Sequence, residues 1–389
     1  MLYLENHRTT PLDPVVLEAM MPFLNASFGS AEPGYHRLAW DATEALEAAR
    51  HSAARMAGGR AKEITFTSSA TESNTWAIRG ALARRGGGKH VVSQKTEHDS
   101  VFLLLERDSR RGRCEVTFVD VEPHGSDSAG IVAPEKIAEA LRPDTRLVSV
   151  QWANPETGAI QPVAEIGRLC KERGVLFHVD AAQAAGKVPL DVEAAGVDLL
   201  SFCAHKFYGP KGIGCLHIRG RDPFVRLEPL FPGGHQEEGR RAGTVDVAAA
   251  VGLGKAAESA LDSLDEDAVR LRRLRDGLHE RLISRVEGTQ LVGPALGSAR
   301  LPGHLAVTFE GTDAESLLMS IPDLAATPGA NDPGPCDLSR VLQALGMDSR
   351  AIRGTLQMTI GRFTTEEEVE RTAAAVEEAS RRLRALGPR

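Results

Sequence analysis

The sequence predicts a two-domain α/β protein. Three observations predict it: a length of 389 residues, a repeated alternation of short apolar runs with amphipathic stretches from about residue 60 to 220, and a helix-led pattern after about 250. A chain of this length exceeds what one small core fills. Alternating strand and helix signals are the mark of a largely parallel sheet with crossover helices.

Taken in order, Ile64-Thr65-Phe66-Thr67, His90-Val91-Val92-Ser93, Val116-Thr117-Phe118-Val119 and Leu147-Val148-Ser149-Val150 read as buried strands. Leu176-Phe177-His178-Val179, Leu199-Leu200-Ser201-Phe202 and Gly214-Cys215-Leu216-His217-Ile218 continue the series. Each is short, apolar and rich in β-branched or aromatic residues. Between them, Val163 to Arg173 carries apolar residues at helical spacing. The stretch from about 250 to 285 reads as strongly helical and links to a smaller C-terminal unit, in which Leu305 to Phe309 and Leu356 to Ile360 read as strands. Glu366 to Leu386 is an amphipathic last helix, and the Gly- and Pro-rich segment Thr327 to Gly334 reads as a loop.

Composition narrows the function classes. Hydrophobic residues make up 42% and charged residues 25%, as in ordinary globular chains. A net charge of −7, with Arg107 to Arg113 interrupted by Asp108, gives little electrostatic support for nucleic-acid or anionic-membrane binding. No apolar segment approaches the roughly 20 residues that span a bilayer. The start, Met1 to Arg8, lacks the pattern of a signal peptide. Cys114, Cys170, Cys203, Cys215 and Cys336 are scattered without a CxxC pair, which disfavours a disulfide framework or a metal site and makes a cytoplasmic location the expectation.

The sharpest local signal is Ala204-His205-Lys206-Phe207-Tyr208-Gly209-Pro210-Lys211-Gly212, directly after an apolar strand. A part-buried lysine at a strand end has a lowered pKa and acts as an amine nucleophile. Taken alone, the same lysine also reads as a surface residue. His178-Val179-Asp180-Ala181-Ala182-Gln183 sets a carboxylate at the end of the preceding strand. Such a carboxylate suits the pyridinium nitrogen of pyridoxal phosphate (PLP), and reads equally as a helix cap. Thr67-Ser68-Ser69-Ala70-Thr71-Glu72-Ser73-Asn74 is a polar turn into a helix, where backbone amides suit a phosphate or make an ordinary capped start.

Together these segments resemble the NifS-like cysteine desulfurases of the class V aminotransferase group. The resemblance runs nearly end to end, through Tyr3-Leu4-Glu5-Asn6, Thr9-Thr10-Pro11, Phe66 to Asn74, Glu97-His98, Asn154 with Glu156-Thr157-Gly158, His178 to Gln183, His205-Lys206, Gly243-Thr244 and Gly361 to Thr365. It implies the aspartate-aminotransferase-like PLP fold type I: a large domain with a mainly parallel seven-stranded sheet plus a smaller C-terminal α/β domain. On that scheme 15–250 form the large PLP-binding domain and 1–14 with 251–389 the small one. The resemblance also implies that Lys206 forms the Schiff base and later moves protons, Asp180 pairs with the ring nitrogen, His98 stacks on the ring, and Gln183 bonds near the ring hydroxyl. Ala70, Thr71, Cys203 and His205 would hold the phosphate, with Thr244 reaching it from the second subunit of a homodimer. Cys203 stands where the family usually has serine, a better hydrogen-bonding group.

The departures lie on the substrate side. Anchored on the helix at Ser339 to Gly346, the family's Gly-Ser-Ala-Cys loop falls on Ala326 to Asn331, so Asn331 takes the place of the persulfide cysteine; Cys336 lies five residues further on. Gln357 stands where relatives have an arginine that pairs with the substrate carboxylate, a fork and charge that glutamine lacks. Pro155 replaces a cofactor-facing asparagine, and His235 a glycine. His7-Arg8 replaces two small residues of the Asn-Ala-Ala-Thr-Thr segment, where Arg8 either restores a positive charge near the substrate or is solvated. His7, Arg8, Asn154, Asn331 and Gln357 are therefore the candidate substrate residues. The expected function is PLP-dependent C–S cleavage by β-elimination in an S-substituted cysteine, as in natural-product sulfur metabolism. Alternatives are a desulfurase using Cys336, a decarboxylating or deaminating enzyme on a cysteine conjugate, and a non-catalytic binding protein.

Overall fold

Runs such as Ile64-Thr65-Phe66-Thr67 and His90-Val91-Val92-Ser93-Gln94 are buried at every position. Only a strand covered on both faces meets that pattern, which is why these segments sit inside a layered sheet. The structure, a computed structural model, describes residues 1–32, 34–83, 88–330 and 338–386.

The chain opens with the two-residue β1 (Leu2–Tyr3), then α1 (Pro14–Leu24) and α2 (Arg37–Ala57). From there strands and helices alternate: β2 (Ile64–Thr67), α3 (Ala70–Leu82), β3 (His90–Gln94), α4 (Asp99–Arg110), β4 (Glu115–Val119), α5 (Pro134–Ala140), β5 (Thr145–Ser149), α6 (Val163–Arg173), β6 (Leu176–Asp180), β7 (Leu199–Cys203) and β8 (Gly214–Ile218). These strands make one seven-stranded sheet in the order β2-β8-β7-β6-β5-β3-β4. Only β8 runs against the rest, antiparallel to both β2 and β7. The expected mainly parallel seven-stranded sheet is therefore present, with one reversed strand inside it. Its entry point is tight: a side chain at Gly214 would meet the Ser69 backbone at 2.7 Å. Glycine there lets β8 pass close under the start of α3.

The stretch expected as one helical run is two helices, α7 (Val247–Asp262) and α8 (Leu264–Arg285), broken at Ser263. α7 packs on α1 and α2, and its Ala249, Ala250, Leu253, Ala256, Ala257 and Ala260 join the large-domain core. The expected boundary at 250/251 thus falls inside α7. Further on come β9 (Thr289–Val292), β10 (His304–Phe309), α9 (Ala314–Met319), β11 (Leu324–Ala325), β12 (Thr327–Pro328), α10 (Arg340–Ala344), α11 (Ser349–Arg353), β13 (Thr355–Thr359) and α12 (Glu366–Ala385). An antiparallel sheet β12-β13-β10-β9 forms the second layer. The segment read as a loop from Thr327 begins with a short edge strand, where proline is tolerated because its missing N–H faces away from the ladder. β1 pairs with β11, and Leu2 and Leu4 join Leu278, Phe309 and Met358 in a second core. The N-terminus is therefore stitched to the C-terminal unit.

Among the described residues no helix is long and apolar enough to cross a membrane. Leu278, fully buried on α8, anchors the second core. Leu278→Ala is expected to cost about 2–5 kcal/mol of unfolding free energy in chemical denaturation. A loss under about 1 kcal/mol would mean α8 does not pack as described.

Candidate active site

In parallel sheets, ligands gather at the C-terminal strand ends, and here five strands deliver chemistry to one edge. β2 leads into the turn at Ser68-Ser69 and α3, β3 into Thr96-Glu97-His98, β5 into Gln151 to Asn154, β6 into Asp180, and β7 into Cys203 to Lys206. Lys206 closes a single 3-10 turn after β7, and its Nζ donates to the carbonyls of His7 and Arg8, both at 2.7 Å. Burial pulls its pKa down, opposed by the Cys203 and Asp180 side chains. A part-desolvated amine of this kind is the nucleophile that the motif suggested.

Asp180 is held through both oxygens. Asn74 donates to Oδ2 at 2.7 Å and the Ala182 N–H to Oδ1 at 2.9 Å. Beside it, Glu97 is wholly buried; burial, then the nearby Asp180 charge, pushes its carboxyl up to about 8, so it keeps its proton at neutral pH. Its Oε1 accepts from the Gln151 N–H and from Gln94. α3 starts with Ser69, whose hydroxyl accepts the Glu72 N–H, and the amides of its first turn lie at the positive end of the helix dipole. The Ala70 N–H is directed at the Cys203 sulfur, and burial raises that thiol to about 11. The imidazole of His205 is lowered to about 4 by burial and by Lys206, Lys211 and Lys187. It is therefore neutral at ordinary pH and would meet an anion through hydrogen bonding rather than charge. His98 caps α4, with its Nδ1 accepting the Ser100 N–H at 3.1 Å.

Ala70, Thr71, His98, Asp180, Gln183, Cys203, His205 and Lys206 all line one cavity of about 240 Å³. Its donor set matches PLP group by group: an amine for the aldehyde carbon, a carboxylate for the ring nitrogen, and helix-start amides for the phosphate. Thr244 is exposed on the loop before α7 and lies outside this cavity within one chain.

A second cavity of about 350 Å³ adjoins the first through His98, Pro155, Gln183 and Lys206, and His7, Arg8, Asn154 and Gln357 line it. The amide of Asn154 is engaged by the protein itself. Its Nδ2 donates to Thr96 O, and its Oδ1 accepts from the Glu156 and Thr157 N–H groups. Asn154 therefore fixes the turn it begins, which leaves it little capacity to bind substrate. Gln357, nearly buried on β13, donates to Glu156 at 3.2 Å, and Ser339 donates to the same oxygen at 2.5 Å. Arg8 donates to Thr327, the cross-strand partner of Gln357, at 3.2 Å. His7 is buried, holds Thr359 Oγ1 at 2.8 Å, and is kept neutral by desolvation. Asn331 and Cys336 lie outside the described residues.

Sequence reasoning assigned no role to Asn74, Lys187, His304 or Arg340. Asn74 sits one helical turn after Ala70, on the α3 face turned to Asp180, so helical periodicity could have singled it out. Arg340 donates to the Glu97 carbonyl at 2.5 Å and stacks 3.9 Å over Phe102, a long-range contact with no local signal.

Residues 2–372 match the aminotransferase class-V family. The chain is 44% identical over its full length to a cysteine desulfurase IscS of Anaeromyxobacter dehalogenans (strain 2CP-C), covering 94% of that protein. It is 42% identical to one from Neisseria meningitidis, again with all of this chain and 94% of the relative covered. Among solved structures, a NifS-like protein superposes with a TM-score of 0.88 at 33% identity, covering 97% of this chain and 98% of its own. A cysteine-bound SspA does so with 0.78 at 30%, covering 93% and 99%. With the PLP constellation assembled at the sheet edge, the chain belongs to the aminotransferase class-V family, as a PLP-dependent enzyme of its cysteine desulfurase-like branch.

Proposed function

We propose that this protein cleaves the C–S bond of an S-substituted cysteine by β-elimination. The carrying observation is the pairing of a complete cofactor cavity with Gln357, hydrogen-bonded to Glu156, at the position where the resemblance implies an arginine. Bound at Lys206, PLP supplies the electron sink that makes a Cα proton removable. Asp180, fixed by Asn74 and the Ala182 N–H, sits to hold the ring nitrogen protonated. Lys206, freed once the substrate amine takes its place on the cofactor carbon, would take the Cα proton; that electron pair would form the Cα–Cβ double bond, the Cβ–S pair would leave with sulfur, and return of Lys206 to the carbon would release the enamine. Protonation of the leaving sulfur and hydrolysis of the enamine give thiol, pyruvate and ammonium. The route needs no persulfide cysteine. Natural-product sulfur metabolism is the setting this chemistry suits.

Arg8 supports the reading: of the two guanidinium groups that line the substrate cavity, Arg340 is engaged by the Glu97 carbonyl and Asp99, and Arg8 lies beside Thr327 and Gln357. We assign it to the substrate carboxylate, with His7 and Gln357 shaping the wall around it. A homodimer is part of the same proposal. Thr244 is exposed and outside the cavity, and Phe28, Tyr35, Trp40 and Phe231 are large apolar side chains left uncovered.

The second reading is desulfuration of cysteine itself through Cys336, favoured by the names of the relatives. Incubation with cysteine and a panel of S-alkyl cysteines separates the two. Stoichiometric thiol and pyruvate from the conjugates are expected, unchanged in Cys336→Ser. Sulfide from cysteine alone, lost in Cys336→Ser, would establish desulfuration instead. Arg8→Ala is expected to raise KM for these substrates about 10- to 100-fold, the worth of one charge-assisted hydrogen bond. An unchanged KM would remove Arg8 from the site.

A further inference from the structure

A second part-buried amine lies behind the Schiff-base lysine. Lys187 is part-buried in the protein, and its Nζ donates to Gln183 Oε1 at 2.9 Å. Gln183 Nε2 donates in turn to the His7 carbonyl at 2.7 Å, the same oxygen that receives Lys206. A hydrogen-bonded chain thus runs from Lys187 through Gln183 and one carbonyl to Lys206.

We infer that Lys187 is a positioning residue that fixes which end of the Gln183 amide faces the cofactor. A carboxamide has two donors at one end and an acceptor at the other, and either end fits the same space. A carbonyl such as that of His7 only accepts, and the Lys187 amine donates to Oε1. The two contacts therefore set the amide in one orientation. One Nε2 hydrogen goes to His7, and the second is left for a ring oxygen in the cavity that Gln183 lines. With Oε1 turned inward instead, an oxygen lone pair would face the negative ring oxygen.

Burial of a lysine is costly, so its retention asks for a role. The titratable groups within electrostatic reach of Lys187 are Lys206, Cys203 and His205 after β7, His7 in the N-terminal segment, and His304 at the start of β10. Asp267 and Arg362 also line the cavity that Lys187 shares, and the hydrogen bond of its amine goes to Gln183 rather than to a carboxylate. Burial, with the Lys206 charge added, brings the Lys187 amine down to about 7. Both its protonated and its neutral forms carry N–H donors, so the hold on Gln183 persists through neutral pH.

The inference rests on PLP binding at Lys206, and its test reads the cofactor's colour rather than turnover. Gln183 stabilises the negative ring oxygen more once the neighbouring imine nitrogen has lost its proton. Losing that donor therefore raises the midpoint of the visible-absorbance pH titration. Lys187→Met is expected to raise the midpoint by about 0.5 to 1 unit, a three- to tenfold gain in proton affinity. Gln183→Leu is expected to do the same, and the double variant no more than Gln183→Leu alone, since contacts in one network are not additive. A full Lys187→Met shift on top of Gln183→Leu would overturn the inference, because Lys187 would then act by charge through space. Lys187→Gln keeps a donor without the charge, and covers the case in which the methionine variant fails to fold. Positioning predicts a midpoint within about 0.3 unit of wild type, and the full rise would overturn it. A wild-type protein that stays colourless with PLP, and shows no borohydride-fixed label at Lys206, would instead sink the cofactor assignment.

Discussion

The site depends on how the segment from Leu4 to Asp13 is held between the two units. On one side Thr359 N donates to Leu4 O, and Asn6 and His7 bond to Thr359 in turn. On the other side Thr10 N reaches His205 O, Asp13 N reaches Tyr208 O, and Lys206 donates to His7 and Arg8. Apart from the turn in which the Arg8 N–H donates to the Glu5 carbonyl, this stretch has no hydrogen-bond partners of its own, so its other buried N–H and C=O groups must find them outside. Meeting that demand ties β13 to the turn after β7. The register of this segment consequently decides where Lys206, Gln183 and Arg8 sit relative to one another.

Electrostatics around the segment follow from burial with few counter-charges. Lys206 and Lys187 are pulled down, His7, His205 and His304 are held neutral, and Glu97 keeps its proton. His7, His205, His304 and Glu97, held neutral, donate or accept without a strong field of their own. A dianionic phosphate and a cationic ring then bring most of the charge into a site whose dipoles are already placed, the arrangement that costs least reorganisation. Asn74 completes it by holding Asp180 through the oxygen that Ala182 leaves open.

Much of this was legible in the chain because the chemistry lies at strand ends, where an apolar run stops and a polar turn begins. Asp180, Lys206 and the start of α3 are local signals of that kind, and eight expected cofactor residues converge on one cavity. What periodicity could not show is long-range pairing. Lys187 reads as a loop lysine until its hydrogen bond to Gln183 is seen. Asn154 resembles a binding residue until its amide is found holding its own turn. The break at Ser263 escaped notice because apolar residues continue at helical spacing through both α7 and α8. Thr244, expected to act from a second chain, lies outside the cavity of this one, and for such a role a single sequence carries only motif evidence.

On the proposed reading, the substrate wall has a charge moved rather than deleted. An arginine on β13 would place a rigid fork at a buried position, beside Glu156. Gln357 leaves a neutral amide there, bonded to the same carboxylate, and is almost wholly buried. Arg8 puts a guanidinium beside the neighbouring strand, half-exposed and held by one hydrogen bond to Thr327 and a 3.5 Å approach to Glu5. A cation on the clamped N-terminal segment is less desolvated than one on the strand, so it binds a carboxylate more weakly while costing less to keep. On the proposed reading it sets the anchoring point on a half-exposed side chain of the N-terminal segment and not on a buried strand position. On the proposed reading, that shift leaves more of the cavity for a substituent on sulfur than an anchor at residue 357 would.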